Sequence, residues 1–525
     1  MEQIRVLTAD DLEKEGIEIL KDAGFIVDEK GKIPVDDLLK IIDNYDAVIV
    51  RSATKIPAPV IEKGKRLKII GRAGVGLDNI DVQAATSCGI VVMNAPEGNT
   101  LSAAEHTFAL ILSMVRHIPA ACSSLKAGKW DRKQFMGTEL FGKTLGIIGL
   151  GRIGRRVAGY AKAFGMNVLG YDPFVSEEEM QRIDVGLVTL EGICKQADII
   201  TLHLPLNKDT ENILKEQHFS MMKDGVMIVN VARGGLFDEA VLEKFIRNKK
   251  VKAAALDVFC SEPPGCRALI ELDNVIATPH LGASTKEAQI NVARDICKQI
   301  VDALIHKTIK NAVNVPSIDK EVISRFKGYL DLAEKLGLFL AQMIDGIPEE
   351  LSVEYAGEIT NYDIAPLRVY LLKGFCERFQ PATYVNAPLI LKEKGVGFTE
   401  KRKISAEQFS NLITVEALID GKTYSLAGTV VASEPRVVRI DGYPVEATPE
   451  GALLVCRNDD VPGIVGHIGT ILGRKNVNIA SMTMGRRIKG GPAITVLNLD
   501  QEIDNITINE IGKFPGIRSM RMVKI

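Results

Sequence analysis

The stretch Lys143-Thr-Leu-Gly-Ile-Ile-Gly-Leu-Gly-Arg-Ile-Gly154 limits what this chain can fold into more than any other. Leu145, Ile147, Ile148 and Leu150 interleave with glycines and run into Gly149-x-Gly151-x-x-Gly154. The pattern predicts a buried strand, a tight turn and a helix over 155–164. Gly149 permits the turn, Gly151 lets the backbone approach a pyrophosphate, and Gly154 lets helix and strand pack closely. The helix N-terminus offers unpaired N–H groups and a positive dipole end to phosphates. Alone, the motif also fits a plain βαβ turn. Its context decides: the next expected strand ends at Asp172, 18 residues after Gly154. A carboxylate there accepts hydrogen bonds from ribose hydroxyls and repels a 2′-phosphate, so the expected cofactor is NAD rather than NADP.

The 525 residues suggest roughly three or four domains. A net charge of −2 gives no electrostatic reason to expect nucleic acid or an anionic membrane as partner. No apolar run approaches the length of a membrane span, and the N-terminus lacks a signal-peptide layout. Eight cysteines without a CxxC pair read as reduced, mostly buried thiols of a cytoplasmic protein, with no metal site.

Taken in order, residues 1–97 alternate strands (5–8, 25–28, 47–50, 68–71, 90–93) with helices (11–23, 35–42), which implies a parallel sheet. Gly71-Arg-Ala-Gly74-Val75-Gly76 has GxxGxG spacing, and no acid ends the following strand. It reads as a loop bringing backbone N–H groups to a small anion, not as a second dinucleotide site. A long apolar helix over 103–115 follows, then a polar segment with the only tryptophan, Trp130. Strands at 145–148, 168–171, 199–202, 227–230, 253–257 and 275–278 make up a Rossmann domain over 98–285. A helix over 285–305 is expected to cross back, with 286–315 completing the first lobe. Residues 316–450 show a helix at 330–343, strands at 350–355 and 423–431, and no chemical motif. Residues 451–525 read βαββαβ, the ferredoxin-like order: strands at 452–457, 477–480, 493–500 and 519–523, helices at 464–474 and 503–513. The expected class is α/β: two doubly wound parallel-sheet lobes, one flavodoxin-like and one Rossmann, an α+β intervening domain and a ferredoxin-like module.

Seven histidines allow a search for a general base by elimination. His106 and His117 belong to the apolar helix, His218, His306 and His467 to helical stretches. His203 fits either a structural role or the cleft. His280, in Thr278-Pro-His-Leu-Gly-Ala283, is the best placed, at a strand end facing the cofactor. Arg233, at the end of another strand, can hold a carboxylate bidentately. Glu262, past a third strand, can fix the histidine tautomer. Together the three suit oxidation of a 2-hydroxy acid, His280 taking the hydroxyl proton while hydride leaves C2. Cations for a phosphorylated substrate are sought at Arg51, beside Ser52, at Arg72 in the Gly74–Val75 loop, and at Arg132. Each arginine reads equally as a surface salt-bridge partner.

These residues carry a resemblance. Residues 149–154 with Asp172, 230–235, 257–263, 279–282 and 71–81, with the order of elements over 1–315, resemble the D-isomer-specific 2-hydroxyacid dehydrogenase family. The resemblance implies catalytic Arg233, Glu262 and His280. It implies NAD contacts at Val75, Gly149, Gly151, Arg152, Ile153, Gly154, Asp172, Val231, Ala232, Arg233, Asp257, His280, Leu281, Gly282 and Ala283. Leu204 departs from the threonine of some relatives and keeps a backbone contact at most. Residues 451–525 resemble an ACT module, with effector contacts implied at Asn458, Asp460 and Asn478 between paired subunits. Residues 316–450 resemble the extra domain of the family's longer members. The implied activity is NAD-dependent oxidation of 3-phosphoglycerate at the start of L-serine synthesis, with L-serine as effector, in a homo-oligomer (dimer or tetramer). Two competitors are a glyoxylate or hydroxypyruvate reductase, which the C-terminal module disfavours, and an NAD-sensing protein without turnover.

Overall fold

The computed structural model describes residues 3–318 and 320–525. The first lobe is a five-stranded parallel sheet of β1 (Arg5–Thr8), β2 (Ile26–Glu29), β3 (Ala47–Val50), β4 (Ile69–Arg72) and β5 (Val91–Asn94). Its order, β2-β1-β3-β4-β5, is the flavodoxin-like one. All four residues of β3 are buried, as a central strand covered on both faces requires. Helix Lys286–His306 does cross back: Val292, Ile296 and Ile300 join the core of this lobe. Ala312 then bridges Met93, and the Asn314 side chain accepts from the Val92 N–H and donates to the Ile90 carbonyl.

The second lobe contains β6 (Thr144–Ile148), β7 (Asn167–Tyr171), β8 (Gly186–Leu187), β9 (Ile199–Leu202), β10 (Val226–Asn230), β11 (Val251–Leu256) and β12 (Val275–Ala277). They form a parallel sheet ordered β12-β11-β10-β9-β6-β7-β8. Six strands were expected; the seventh, β8, is two residues long and leaves no pattern in the sequence. The helix after the glycine turn runs over Arg152–Ala163, not 155–164. Its first turn begins directly after Gly151, so the free N–H groups lie nearer the glycines than the apolar spacing suggested. The apolar helix, Thr100–Val115, is buried against this sheet through Phe108, Ile111 and Val115.

The region after residue 318 holds more strand than expected. β13 (Glu350–Gly357), β14 (Gly397–Lys403), β15 (Asn411–Ile419), β16 (Lys422–Val431), β17 (Glu434–Ile440) and β18 (Tyr443–Ala447) form one mixed sheet. Two of its hairpins turn at Asp420-Gly421 and Asp441-Gly442, with positive φ at all four residues. Asp-Gly is a strong two-residue hairpin signal, and it stood unread in the sequence. Helices Lys320–Met343 and Ala365–Cys376 cover one face. The C-terminal strands are β19 (Ala452–Asp459), β20 (Ile479–Arg486), β21 (Pro492–Leu499) and β22 (Ile517–Lys524), in the order β20-β21-β19-β22. β20 starts two residues later than expected, and Val477 before it is buried with Ile464, Ile468 and Leu472. Leu453, Val455, Ile494 and Val496, on the opposite face, join the core of the preceding domain.

Candidate active site

The glycine turn is built from steric necessity. Gly149 has φ +97, and a Cβ there would lie 2.5 Å from the His203 carbonyl oxygen. A Cβ on Gly154 would collide with the Gly149 carbonyl, so the helix can approach the strand only with glycine at that position. Gly151 faces open space and caps the helix without a side-chain bond, leaving the first-turn N–H groups free to meet an anion. Asp172 accepts the Leu150 N–H at 2.9 Å and the Phe174 N–H at 2.9 Å, one on each oxygen. Each oxygen keeps acceptor capacity toward the adjoining cleft of about 570 Å³, which Leu187, Val188 and Leu190 line on its apolar side. Glu177 and Glu191 stand in the same cleft, three carboxylates in all, so a 2′-phosphate is opposed there. The residues present fit NAD.

Arg152 is exposed and pairs with Glu97 at 3.4 Å; Ile153 is half-buried behind it. Leu204 packs against the Gly149 turn. His203 is desolvated, which pushes its imidazole down to about 4 and keeps it neutral; Thr201 Oγ1 lies 3.1 Å from its Nε2.

Three strand ends converge on the reactive corner. After β10, the Asn230 side chain accepts the Ala232 N–H and donates to the Arg233 carbonyl, folding the 231–233 turn. Arg233 is thereby aimed at the first lobe, where its Nε lies 3.4 Å from Asp78. Glu262, after β11, receives His280, after β12: Nδ1 lies 2.8 Å from Oε2 and 3.0 Å from Oε1. His280 has φ +55, a left-handed conformation costing on the order of 1–3 kcal/mol in a non-glycine residue. Asp257 holds it there. The Asp257 carbonyl accepts the His280 N–H at 2.9 Å, and its carboxylate accepts the N–H groups of Leu281 (2.7 Å) and Gly282 (2.8 Å) and the Thr278 hydroxyl (2.5 Å). Burial drives the Asp257 carboxyl up, but hydrogen bonds from His106, Thr278, Leu281 and Gly282 outweigh it and hold the group below the usual carboxylate range. Asp257 is wholly buried, so its side chain shapes the loop. Val231 is buried against Gly282, Ala232 is half-buried, and the Ala283 carbonyl accepts from Gln289.

The first lobe contributes cations. Arg72, at the end of β4, is pushed down to about 10, chiefly by burial and then by the charges of Arg233 and Arg51. Its buried Nε has no partner among the described residues. Gly76 lies so close to Arg233 that a Cβ would strike the guanidinium, so the 73–76 loop closes on it. Asn94 Nδ2 fixes this loop through the Val75 carbonyl at 2.7 Å; Gly74 beside it is buried. Asp10, unremarked in the sequence, accepts the Arg51 N–H at 2.7 Å and shapes the turn that carries exposed Ser52. Arg132 is exposed in the segment before β6 and touches none of these groups. Sequence reasoning set His106 aside as part of a buried helix, although an ionisable side chain on an apolar face demands a partner; Asp78 carried no signal at all.

Asn458 and Asp460 lie at one end of the C-terminal sheet. Asn458 is buried, donating to the Asp459 carbonyl and accepting from Thr495; Asp460 accepts the Gly490 N–H and pairs with Arg486. Asn478 sits at the other end, donating to Asp500 at 2.8 Å. One chain does not bring the three together.

Among the eight free cysteines, four are buried, one is half-buried and three are exposed, fewer buried than expected. Among the described residues, no single helix is long and apolar enough to cross a membrane.

Comparison with known proteins agrees with this geometry. Residues 108–282 match the family described as D-isomer specific 2-hydroxyacid dehydrogenase, NAD binding domain. Among solved structures, the D-lactate dehydrogenase of Aquifex aeolicus complexed with NAD and lactic acid superposes with a TM-score of 0.52 at 29% identity, covering 60% of this chain and 100% of that one. A glyoxylate reductase from Paecilomyes thermophila gives 0.56 at 29%, covering 60% and 99%. Fold and site thus define a D-isomer specific 2-hydroxyacid dehydrogenase using NAD. Residues 325–441 match the D-3-phosphoglycerate dehydrogenase intervening domain and 452–516 the ACT domain. D-3-phosphoglycerate dehydrogenases of Synechocystis sp. and Methanocaldococcus jannaschii are 43% and 42% identical, each over 99% of this chain and over 95% and 100% of their own lengths. The chain belongs to the D-3-phosphoglycerate dehydrogenase family.

Proposed function

We propose that the protein oxidises 3-phosphoglycerate to 3-phosphohydroxypyruvate with NAD, opening L-serine synthesis. The carrying observation is that Arg72, whose buried Nε has no partner among the described residues, lies within electrostatic reach of both Arg233 and Arg51. A simple 2-hydroxy acid needs one guanidinium for its carboxylate. The additional buried cation suits a substrate with a second anionic group.

In this reading Arg233 holds the carboxylate, and Arg72 with Arg51 holds the phosphate. Glu262 accepts from His280 Nδ1–H, which leaves Nε2 unprotonated and free to take the hydroxyl proton. Residues 149–154 hold the pyrophosphate of NAD and Asp172 its ribose; bound NAD accepts the hydride from C2. In reverse, the His280 imidazolium returns a proton to the ketone oxygen.

Exposed Ile118, Leu125, Trp130, Met136 and Phe141 support assembly into a homo-oligomer, a dimer or tetramer, and the compartment proposed is the cytoplasm. The C-terminal module answers to L-serine: two copies side by side in opposite directions bring the Asn458–Asp460 end of one sheet to the Asn478 end of the other. The test of the activity is NADH absorbance on mixing protein, NAD and 3-phosphoglycerate at mildly alkaline pH. Turnover with 3-phosphoglycerate and not with lactate or glycerate supports the reading; NAD binding without turnover on any 2-hydroxy acid overturns it.

A further inference from the structure

His106 lies within the apolar helix Thr100–Val115, where an imidazole is retained only with a partner. Its Nε2 is 3.2 Å from Asp257 Oδ1 and 3.3 Å from Thr278 Oγ1. The buried Asp257 carboxylate only accepts, so His106 Nε2 carries the hydrogen. Among the described residues, His106 is the one ionisable side chain at ion-pair distance from Asp257. Asp257 in turn clasps the chain on both sides of His280, through its carbonyl at His280 N–H and its carboxylate at the Leu281 and Gly282 N–H groups.

We propose that His106 is a positioning residue: its Nε2–H on Asp257 Oδ1 orients the carboxylate that clasps Leu281 and Gly282, and so keeps the His280 imidazole against Glu262. The proposal rests on His280 acting as the general base. Without the donor, Oδ1 keeps only Thr278 and Leu281, and the buried charge loses the one neighbour able to carry a positive charge. The carboxylate is then held by three donors in place of four, and its clasp on the chain beside the left-handed backbone at His280 loosens.

The test uses the full chain with two variants, His106→Phe, which keeps a ring and removes the donor, and His106→Gln, whose amide restores an N–H. His106→Phe is expected to lower kcat by about tenfold or more, with KM for 3-phosphoglycerate changed by less than about threefold. Amide exchange at Leu281 and Gly282 is expected to accelerate by about tenfold, with exchange in β6 unchanged. His106→Gln is expected to recover most of both losses. Wild-type kcat and wild-type exchange in His106→Phe would overturn the proposal, as would a glutamine variant no better than phenylalanine. If His106→Phe gives no folded protein, His106→Asn, whose shorter amide falls short of Oδ1, takes its place in the same comparison. Amide exchange is read without turnover. A protein inactive on 3-phosphoglycerate would therefore sink the proposed function while leaving the His106 clasp to be decided on its own.

Discussion

Arg233 Nε and Asp78 Oδ2 lie 3.4 Å apart, so an arginine from one lobe and a carboxylate from the other bridge the cleft between them. A substrate carboxylate and Asp78 compete for the same guanidinium. Asp78→Asn should lower KM for the substrate by about two- to fivefold, the scale of a largely exposed ion pair, with the NAD dissociation constant unchanged. Steady-state kinetics at low salt check this; a raised KM would show that Asp78 orients Arg233 instead.

His280→Ala should leave NAD binding within about twofold and cut turnover by roughly a hundredfold or more, as loss of a general base does. Glu262→Gln should cost about tenfold or more, because an amide no longer enforces the Nδ1–H tautomer. Cofactor titration beside initial rates separates binding from chemistry. Full activity in His280→Ala would remove it from the role.

Asp172→Ala should weaken NAD and narrow its advantage over NADP, since the carboxylate both accepts from the ribose and opposes a 2′-phosphate. The Leu150 and Phe174 N–H groups also lose their acceptor, so the turn should loosen. Dissociation constants for both cofactors test this. An unchanged NAD/NADP ratio would put the discrimination on Glu177 and Glu191.

His203, held near 4 by burial, takes up a proton more readily unfolded than folded. Its contribution to stability is present above the ordinary histidine value of about 6.5 and is lost as pH falls from there toward 4, by up to ~3 kcal/mol. Denaturant unfolding between these limits should show a shallower pH dependence in His203→Gln than in the parent. Identical slopes would assign acid lability elsewhere.

On the proposed control by L-serine, Asn478→Ala should abolish inhibition with the basal rate unchanged, because among the described residues its amide bonds only to Asp500, at an exposed sheet end. Asn458→Ala is a poorer probe, since both ends of that buried amide are used within the sheet. Rates with and without L-serine decide; inhibition that survives in Asn478→Ala would exclude it as a contact.

Much of this was legible in the sequence, for physical reasons. The strands of the two parallel lobes are short buried runs of Val, Ile and Ala, and their ends fell within two residues of expectation. Arg233, Glu262 and His280 stood out as candidates because parallel sheets put chemistry at strand ends, and the structure places His280 against Glu262. What stayed hidden depends on tertiary approach. Asp78 meets Arg233 only because two lobes close on each other. His106 reaches Asp257 across 151 residues of chain. β14, β15, β17 and β18 alternate weakly, and the Asp-Gly hairpins were the only local clue. A third hairpin turns at Ala432-Ser433 with positive φ at both residues, which no composition rule anticipates.

The most direct test of the account is oxidation of 3-phosphoglycerate carrying deuterium at C2, with the mass of the reduced cofactor read afterwards. The account predicts NADH heavier by the one deuterium, a slower rate than with unlabelled substrate if transfer limits turnover, and loss of the product in His280→Ala. Unlabelled NADH, or none despite bound NAD, would contradict hydride transfer at this site.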